Sequence, residues 1–243
     1  MRRDAARSRL AALGFGDADA GVLADHFLDA ERRGKRGHGL ARIDWLETLP
    51  DLDPTARPVR TASSPGFDRW EGRGALGYLT LAAIADDLVR RPPQPAKVVV
   101  ARDCVPTGAL GYWVRRLADA GLVAVLTATS PARLPHPDGG PAVVGTNPLA
   151  IGVPADGGPV VADVSMGRAT YGDVLAGVAT PDELVPFGGE HAHKAFALAL
   201  GLQLLVDSQV GDGHGAVLVA LRDEFGPSGV RERLRGLRIP GDR

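Results

Sequence analysis

The spacing of hydrophobic residues predicts helices in the first third of the chain. Apolar side chains such as Val22 and Phe27 recur on one face over residues 18–32, and a similar pattern covers residues 4–13. Asp17 precedes the run over residues 18–32 and is expected to be the N-cap of that helix. Five further runs of helical period predict helices over residues 40–49, 76–91, 108–120, 169–178 and 193–208.

Short apolar runs predict strands between these helices, over residues 67–71, 97–101, 123–127, 149–153, 159–164 and 216–221. Residues 51–66 contain several prolines, threonines and serines and are expected to form a loop. A strand, a helix and a strand follow one another over residues 97–127, and this βα unit favours an α/β core.

We expect the chain to form one structural unit made of three segments. Residues 1–65 form an N-terminal helical segment, residues 66–164 an α/β region, and residues 165–243 a helix and a strand that pack back on the N-terminal segment. A chain of 243 residues is long enough to bury a substantial core.

Composition excludes several classes of function. The formal net charge is −1 and aromatic residues make up only 5%, so neither a basic surface nor stacking platforms for nucleic acid are indicated. The single cysteine, Cys104, excludes an intrachain disulfide and fits a reducing compartment. No apolar run follows the charged N-terminus, and the longest apolar run, residues 195–206, is too short to span a bilayer. We therefore expect a soluble, cytoplasmic protein without nucleic-acid or membrane partners.

The most informative motif is the Gly-Thr-Asn-Pro turn at residues 145–148, which leads into an apolar strand. Gly145 permits unusual backbone dihedrals, and Pro148 fixes φ and removes a hydrogen-bond donor, so the residues by themselves indicate only a tight turn between strands. As a string, residues 145–154 and the following segment around Asp163 resemble the signature of the type-2 malate/L-lactate dehydrogenase family.

The resemblance continues in order along the chain. Asp163–Met166 and Tyr171–Gly172 resemble the 2,3-diketogulonate reductase branch of the family in particular. The other segments that resemble family motifs are Ala30–Arg42, Gly66–Gly77, Val98–Asp103, Gly108–Tyr112, Pro186–Gly189 with Lys194, and Pro240–Asp242.

This resemblance implies a compact variant of the family's α/β fold, which is not a Rossmann fold and whose nucleotide-facing region would be residues 66–164. It further implies NADH or NADPH as cofactor, a small-molecule substrate, no metal, and a homodimer. The implied reaction transfers hydride to a C=O or C=N carbon next to a carboxylate, in a 2-oxo acid or a cyclic imine. The shortness of the chain suggests a specialised, biosynthetic substrate.

His38 is the candidate for proton transfer. Reduction of a carbonyl or imine requires a proton near the developing charge, and imidazole titrates closest to neutral pH. Glycines on both sides of His38 let the loop approach a ligand, and the resemblance implies an acid/base role. Without the resemblance, a capping or exposed loop histidine is the simpler interpretation. Arg42 follows four residues later on the same helical face and is either a carboxylate clamp or a solvated surface arginine.

Asp163 ends an apolar strand, where a carboxylate is costly unless it has a partner. The resemblance implies that it orients the histidine or holds the cofactor, and an N-cap for the next segment is the alternative. Lys194 opposes the dipole of its helix, so we expect it to face an anionic ligand, which the resemblance implies is a cofactor phosphate. The resemblance also implies roles for other residues: Thr146 and Asn147 as turn residues beside the substrate, and Ser165, Met166 and Gly241 at the cofactor.

The remaining histidines carry weaker signals. His191 and His193 have a chelate-like spacing, but neither a carboxylate nor a third ligand is evident, so solvated loop histidines are the favoured interpretation. His26 lies in an amphipathic helix and is expected to be structural.

The chain also departs from the family pattern. Four site positions differ: the serine before the histidine, a histidine in the nucleotide loop, an asparagine at a strand end and the glycine after the lysine are replaced by Gly37, Pro106, Thr129 and Ala195. The segments 171–186 and 225–240 are shorter than the family usually has. Two rivals therefore stay open: a member that has lost its cofactor and does non-redox chemistry or binds a metabolite or partner, and a structural paralogue that pairs with an intact dehydrogenase.

Overall fold

A computed structural model of the chain describes residues 2–224, 226 and 229–241. Its helices are α1 (Arg3–Ala12), α2 (Asp17–Arg32), α3 (Ala41–Leu46), α4 (Gly77–Arg90), α5 (Leu110–Asp119), α6 (Tyr171–Leu175), α7 (Ala192–Val210) and α8 (Val230–Arg233). Single 3-10 turns occur at Arg36–His38, Pro181–Glu183 and Gly189–His191.

The strands are β1 (Val59–Ser64), β2 (Phe67–Glu71), β3 (Ala96–Arg102), β4 (Leu122–Ala128), β5 (Leu134–His136), β6 (Gly139–Val144), β7 (Leu149–Val153), β8 (Val160–Val164) and β9 (Gly215–Arg222). Seven of them form one sheet in the order β1-β2-β3-β9-β4-β7-β8, and β5 and β6 form a separate hairpin. Among the strand pairs of the described residues, only β2–β3 is parallel, and the other pairs of both sheets are antiparallel.

The predicted βα unit is present, but its two strands are not neighbours. β3 and β4 both pair antiparallel with β9, which lies between them, so that Val99 and Val125 face Leu218 and Val219 of β9, respectively. The C-terminal strand therefore completes the centre of the sheet. The α/β class is confirmed, and the mostly antiparallel pairing distinguishes the fold from a doubly wound parallel sheet.

Several local predictions need correction. Residues 51–66 are not all loop, because β1 forms the sheet edge; its side chains are mostly exposed, so it lacks the apolar alternation that would reveal a strand. Gly16 rather than Asp17 is the N-cap of α2, although Asp17 in the first turn still favours the helix dipole. α3 ends at Leu46 and α6 spans only Tyr171–Leu175, so both helices are shorter than predicted.

Each face of the sheet is covered differently. Helices α1, α2, α4 and α5 bury the main core on one face, where Trp113, Tyr78 and Phe27 are fully buried. On the other face, α7 packs Val206 and Val210 against Val100 and Val217. No helix among the described residues is long and apolar enough to cross a membrane.

Candidate active site

A cavity of about 540 Å³ lies where the 3-10 turn at Arg36–His38 meets the start of α5, the Gly-Thr-Asn-Pro turn and α6. Its walls come from residues 34–45, 105–110, 128–133, 146–148 and 163–173. These segments are far apart in the sequence, and the fold brings them together. Five of the nine predicted site residues line this cavity: His38, Arg42, Thr146, Asp163 and Ser165.

His38 ends its 3-10 turn and remains partly exposed in the cavity, whereas its Nδ1 atom is buried and has no hydrogen-bond partner. Burial, and secondarily the charges of Arg42 and Lys35, lower the pKa of His38 to about 3. The imidazole is therefore neutral near neutral pH in the free protein. An anion bound at Arg42 would offset one of the two lesser causes of this lowering and would therefore raise the pKa of His38.

Arg42 is the most unusual charge in the cavity. Only 8% of the residue is exposed, its Nε donates a hydrogen bond of 2.8 Å to the carbonyl of Gly37, and its guanidinium lies 5.2 Å from the ring centre of Trp45. Within the described ranges, no carboxylate lies within ion-pair distance of it. A buried cation without a counter-ion is costly, so this side chain suits an anionic ligand. The solvated-surface alternative for Arg42 is wrong.

Asp163 lines the cavity but does not orient His38. Its carboxylate forms an ion pair with Lys35, and the buried Nδ1 of His38 has no partner. A Cβ atom on Gly111, in the first turn of α5, would lie 2.8 Å from Oδ2 of Asp163, so this carboxylate is packed against the helix start. Asp163 lies within β8 and the N-cap of α6 is Thr170, so the N-cap alternative for Asp163 is wrong as well.

The Gly-Thr-Asn-Pro turn contributes one side of the cavity through Thr146. The carbonyl of Thr146 accepts hydrogen bonds from the backbone N–H of Met166 at 2.9 Å and from the hydroxyl of Ser165 at 3.4 Å. Ser165 lines the cavity, whereas Met166 is buried in a separate cluster with Leu134 and does not line it. The predicted cofactor position of Met166 therefore has no support in this geometry.

Asn147 connects the turn to α7 instead of bordering the cavity. Its φ is 21°, it is fully buried, and its side-chain amide donates to the carbonyl of Ala199 at 2.9 Å and to Gln203 at 2.8 Å. The expectation that Asn147 is a turn residue is met, but it does not lie beside the substrate cavity, because its side chain is used to anchor the turn.

A second cavity of about 400 Å³ adjoins the first, and Lys35, Ala109 and Asp163 line both. The second cavity is lined by Arg33, Arg115 and Arg238, and by Gly241. The carbonyl of Gly241 accepts hydrogen bonds from Arg33 at 2.8 Å and from Arg115 at 3.1 Å. Gly241 thus lies beside the first cavity rather than in it, and Asp242, the last residue of the predicted Pro240–Asp242 motif, lies outside the described residues.

Lys194 and the histidines that flank it lie away from both cavities. Lys194 is exposed in the first turn of α7, as are His191 and His193 around it, because this end of α7 lies on the outer surface. No group of three potential metal ligands occurs in the part of the chain that the structure describes. His26, by contrast, is fully buried, accepts a hydrogen bond of 3.1 Å from the Ala109 N–H and stacks on Trp113.

The position of Gly37 explains one departure from the family pattern. A Cβ atom at residue 37 would lie 2.6 Å from the backbone nitrogen of Asp173 and 2.7 Å from the carbonyl carbon of Gly172. The 3-10 turn therefore packs directly on the start of α6, and no side chain fits between them. Pro106 and Thr129, at two of the other proposed departures, line the cavity.

Three charged residues of the cavity wall, Lys35, Arg133 and Asp173, were not selected as site residues from the sequence. Asp173 accepts hydrogen bonds from the Thr170 N–H at 2.9 Å and hydroxyl at 2.7 Å, and the Thr-x-x-Asp spacing of this capping box is a signal that could have been used. Lys35 lies within the Ala30–Arg42 segment that resembles a family motif, but only His38 and Arg42 were singled out there. Arg133 has no local signal at all, because it follows a strand in a Pro-rich loop.

Comparisons with known proteins identify the family of the chain. The sequence profile of the malate/L-lactate dehydrogenase family matches residues 2–180, which include every segment that lines the first cavity. A Δ1-pyrroline-2-carboxylate/Δ1-piperideine-2-carboxylate reductase of Pseudomonas putida is 30% identical over an alignment of 232 residues, which covers 83% of this chain and 67% of that protein.

Solved structures share the fold over almost the whole chain. A dehydrogenase from Sinorhizobium meliloti has a TM-score of 0.79 at 25% identity and covers 99% of this chain and 87% of its own. Malate dehydrogenase from Entamoeba histolytica has a TM-score of 0.81 at 19% identity, covering 99% of this chain and 85% of its own, which shows the fold alone. The chain belongs to the malate/L-lactate dehydrogenase family, whose members are NAD(P)-dependent oxidoreductases.

Proposed function

We propose that the protein is an NAD(P)H-dependent reductase that transfers hydride to a C=O or C=N carbon next to a carboxylate, in a 2-oxo acid or a cyclic imine. The observation that carries this proposal is the buried guanidinium of Arg42, which has no carboxylate partner among the described residues and lines the same cavity as His38. The relative from Pseudomonas putida is, by its name, a reductase of two carboxylates, which is consistent with a carboxylate anchor at Arg42.

The side chains divide the chemistry between them. Arg42 binds the substrate carboxylate with a planar, bidentate donor set, and this contact fixes the neighbouring C=O or C=N group in the cavity. His38 donates a proton to the oxygen or nitrogen that develops negative charge, and it accepts a proton in the reverse direction. NADH or NADPH, when bound, would supply the hydride for this carbon. Thr146 and Ser165 complete the wall beside this position.

The second cavity suits the phosphates of the cofactor. Three arginines line it, and its two carboxylates are already paired, Asp29 with Arg33 at 2.8 Å and Asp163 with Lys35. Helix α5 begins where the two cavities meet, and the N–H groups of a first helical turn lack intrahelical acceptors and attract anions. We infer that the arginines of the second cavity and the start of α5 would hold the phosphates of NADH or NADPH, and that Gly241, which lines the same cavity, would contribute to that site.

A homodimer is part of the same proposal. Four leucines on the outer face of α7 are between 40% and 59% exposed: Leu198, Leu200, Leu204 and Leu205. An exposed apolar face of this kind is typical of a protein interface. Lys194 begins the same helix and is exposed in the single chain, so its predicted cofactor contact depends on this assembly. Light scattering of the wild type and of Leu204→Glu tests it: a dimer that becomes monomeric supports the proposal, and a monomeric wild type contradicts it.

The first experiment is a titration of the purified protein with NADH and with NADPH, followed by fluorescence or calorimetry. Saturable binding, followed by reduction of 2-oxo acids or cyclic imines, supports the proposal. Arg42→Met is expected to lower kcat/KM for reduction by roughly 10- to 100-fold, which corresponds to the loss of one or more charge-assisted hydrogen bonds to the substrate. Arg168→Met, which removes an exposed guanidinium outside the cavity, is the matched control.

The outcome also decides between the proposal and its main rival. If neither nucleotide binds at millimolar concentration, the hydride-transfer proposal fails, and a family member that performs non-redox chemistry or binds a metabolite or partner becomes the better explanation. His38→Gln separates the two roles further, because it is expected to abolish reduction while leaving nucleotide binding within a few-fold of wild type.

A further inference from the structure

The ion pair of Lys35 and Asp163 lies where the two cavities meet. These two residues and Ala109 line both cavities. Lys35 directly precedes the 3-10 turn that ends at His38, and Asp163 lies in β8, so the fold joins two segments that are remote in sequence. The side chain of Ala109 is a methyl group. Among the described residues, the ion pair therefore supplies all the polar side-chain atoms that the two cavities share.

The ion pair still has unused hydrogen-bonding capacity. A lysine ammonium has three N–H donors, and an ionised carboxylate has two acceptor oxygens. Within the described ranges, Nζ of Lys35 donates to Oδ2 of Asp163 and to no other atom, and Oδ1 of Asp163 accepts no hydrogen bond. One carboxylate oxygen and two ammonium N–H groups are thus available to a ligand.

The carboxylate of Asp163 is held firmly in place. Its side chain is only 10% exposed, and a Cβ atom on Gly111 would lie 2.8 Å from its Oδ2 and 2.9 Å from its Cβ. Gly111 lies in the first turn of α5, where the helix dipole favours a negative charge. The ion pair in turn restrains the more exposed ammonium of Lys35. A donor and an acceptor are therefore preorganised side by side, which lowers the entropic cost of binding.

The chemistry of the ion pair selects a neutral ligand group. The two charges cancel, so an anionic group would be repelled by Asp163 and a cationic group by Lys35. A neutral group that has a carbonyl oxygen and an N–H donor side by side can bond to both partners. A primary carboxamide has both in one plane. NADH and NADPH carry a carboxamide on the nicotinamide ring, next to the carbon that gives up hydride.

We propose that the Lys35–Asp163 pair binds the carboxamide of the nicotinamide ring, with Lys35 donating to its carbonyl oxygen and Oδ1 of Asp163 accepting from its N–H group. This inference rests on the proposed function, in which the second cavity holds the phosphates and the first holds the substrate. The residues that line both cavities are then the ones that can orient the reacting ring. Such orientation is a major part of the catalysis of hydride transfer.

The first test compares dinucleotides that differ only at the carboxamide. Calorimetry without substrate measures the binding of NADH, of its 3-acetylpyridine analogue, which keeps the carbonyl but lacks the N–H group, and of its nicotinic acid analogue, which carries a carboxylate. The 2′-phosphorylated series is used instead if NADPH binds more tightly. We expect the acetyl analogue to bind roughly tenfold more weakly than the amide, and the acid analogue more weakly still. ADP-ribose, which lacks the ring, should also bind more weakly than NADH.

Two variants assign the contacts to their side chains. Asp163→Asn should weaken NADH by roughly tenfold and bring the amide and the acetyl analogue to within about twofold of each other. Lys35→Met should weaken both by the same factor, because both present the same carbonyl oxygen. Asp86→Asn removes a half-exposed carboxylate from the surface ion pair with Arg116, lines neither cavity, and is the matched control that should change nothing.

The outcomes separate this inference from the proposed function. If the wild type binds the amide and the acetyl analogue equally, or binds ADP-ribose as tightly as NADH, the carboxamide contact is refuted and the proposed reductase stands. The same holds if Asp163→Asn keeps the full preference for the amide. The comparison of ligands on the wild type decides the matter even if a variant does not fold. If the wild type binds none of these nucleotides, both proposals fail.

Discussion

Substitution of His38 by glutamine should make the protein markedly less sensitive to acid. In the folded protein, burial, Arg42 and Lys35 hold the pKa of His38 at about 3, against 6.5 in an unfolded chain. The unfolded state therefore binds more protons between these two values, so stability is fully present above about pH 6.5 and is lost as the pH falls toward 3.

The size of the effect follows from the two pKa values. Linkage gives a loss of about 2 kcal/mol of unfolding free energy from His38 alone between about pH 7 and about pH 5. The ring is partly open to the cavity, and access of water reduces this to about 1–2 kcal/mol. The pKa of His26 is lowered chiefly by burial, so His26 adds a second loss of stability on acidification that remains in the variant.

Urea unfolding followed by circular dichroism at constant ionic strength measures this difference. His38→Gln should lose about 1–2 kcal/mol less than the wild type over that pH range. His136→Gln removes a half-exposed imidazole and controls for the loss of a titratable ring. If the wild type and His38→Gln lose the same unfolding free energy on acidification, then the surroundings of His38 do not hold the imidazole neutral, and a pKa of about 3 is refuted.

Three other predictions concern positions where the backbone or a buried charge decides the outcome. Gly37→Ala should destabilise the protein by about 1–3 kcal/mol in a thermal unfolding scan, because the added Cβ would overlap the backbone at the start of α6. Gly201→Ala, on an open helix surface, is the control and should be neutral or stabilising in the same scan. Asn147→Ala removes hydrogen bonds to α7 and should cost about 1–3 kcal/mol in urea unfolding, and an unchanged midpoint would refute its anchoring role. Calorimetry with lactate should show weaker binding to Arg42→Met, and affinity equal to that of the wild type would contradict a carboxylate anchor there.

Much of the local structure was accessible from the sequence. The helical period placed α1, α2, α4, α5 and α7 to within a few residues, because amphipathic repeats and breaker residues act over short distances. Elements without such a pattern escaped, notably the exposed edge strand β1 and the β5–β6 hairpin. The motif around Gly145 and the resemblance it carried led to the correct family, since turn residues have backbone requirements that are visible in one sequence.

The candidate site was only half accessible from the sequence. His38, Arg42 and Asp163, which were proposed as site residues, line one cavity, but the partner of Asp163 is Lys35, 128 residues away along the chain, and not His38. Asn147 was expected beside the substrate and is instead directed at α7.

The tertiary structure alone decided how charges pair and which side chains share a cavity. Residue type and local period determine whether a segment becomes a helix, a strand or a turn, and they determined the helices and the Gly-Thr-Asn-Pro turn here. Ion pairs, orphaned cations and cavity walls depend on contacts between segments that are remote in sequence, such as Arg133 with Tyr171 and the insertion of β9 between β3 and β4. Those contacts form only when the whole sheet has assembled, and no local pattern specifies them.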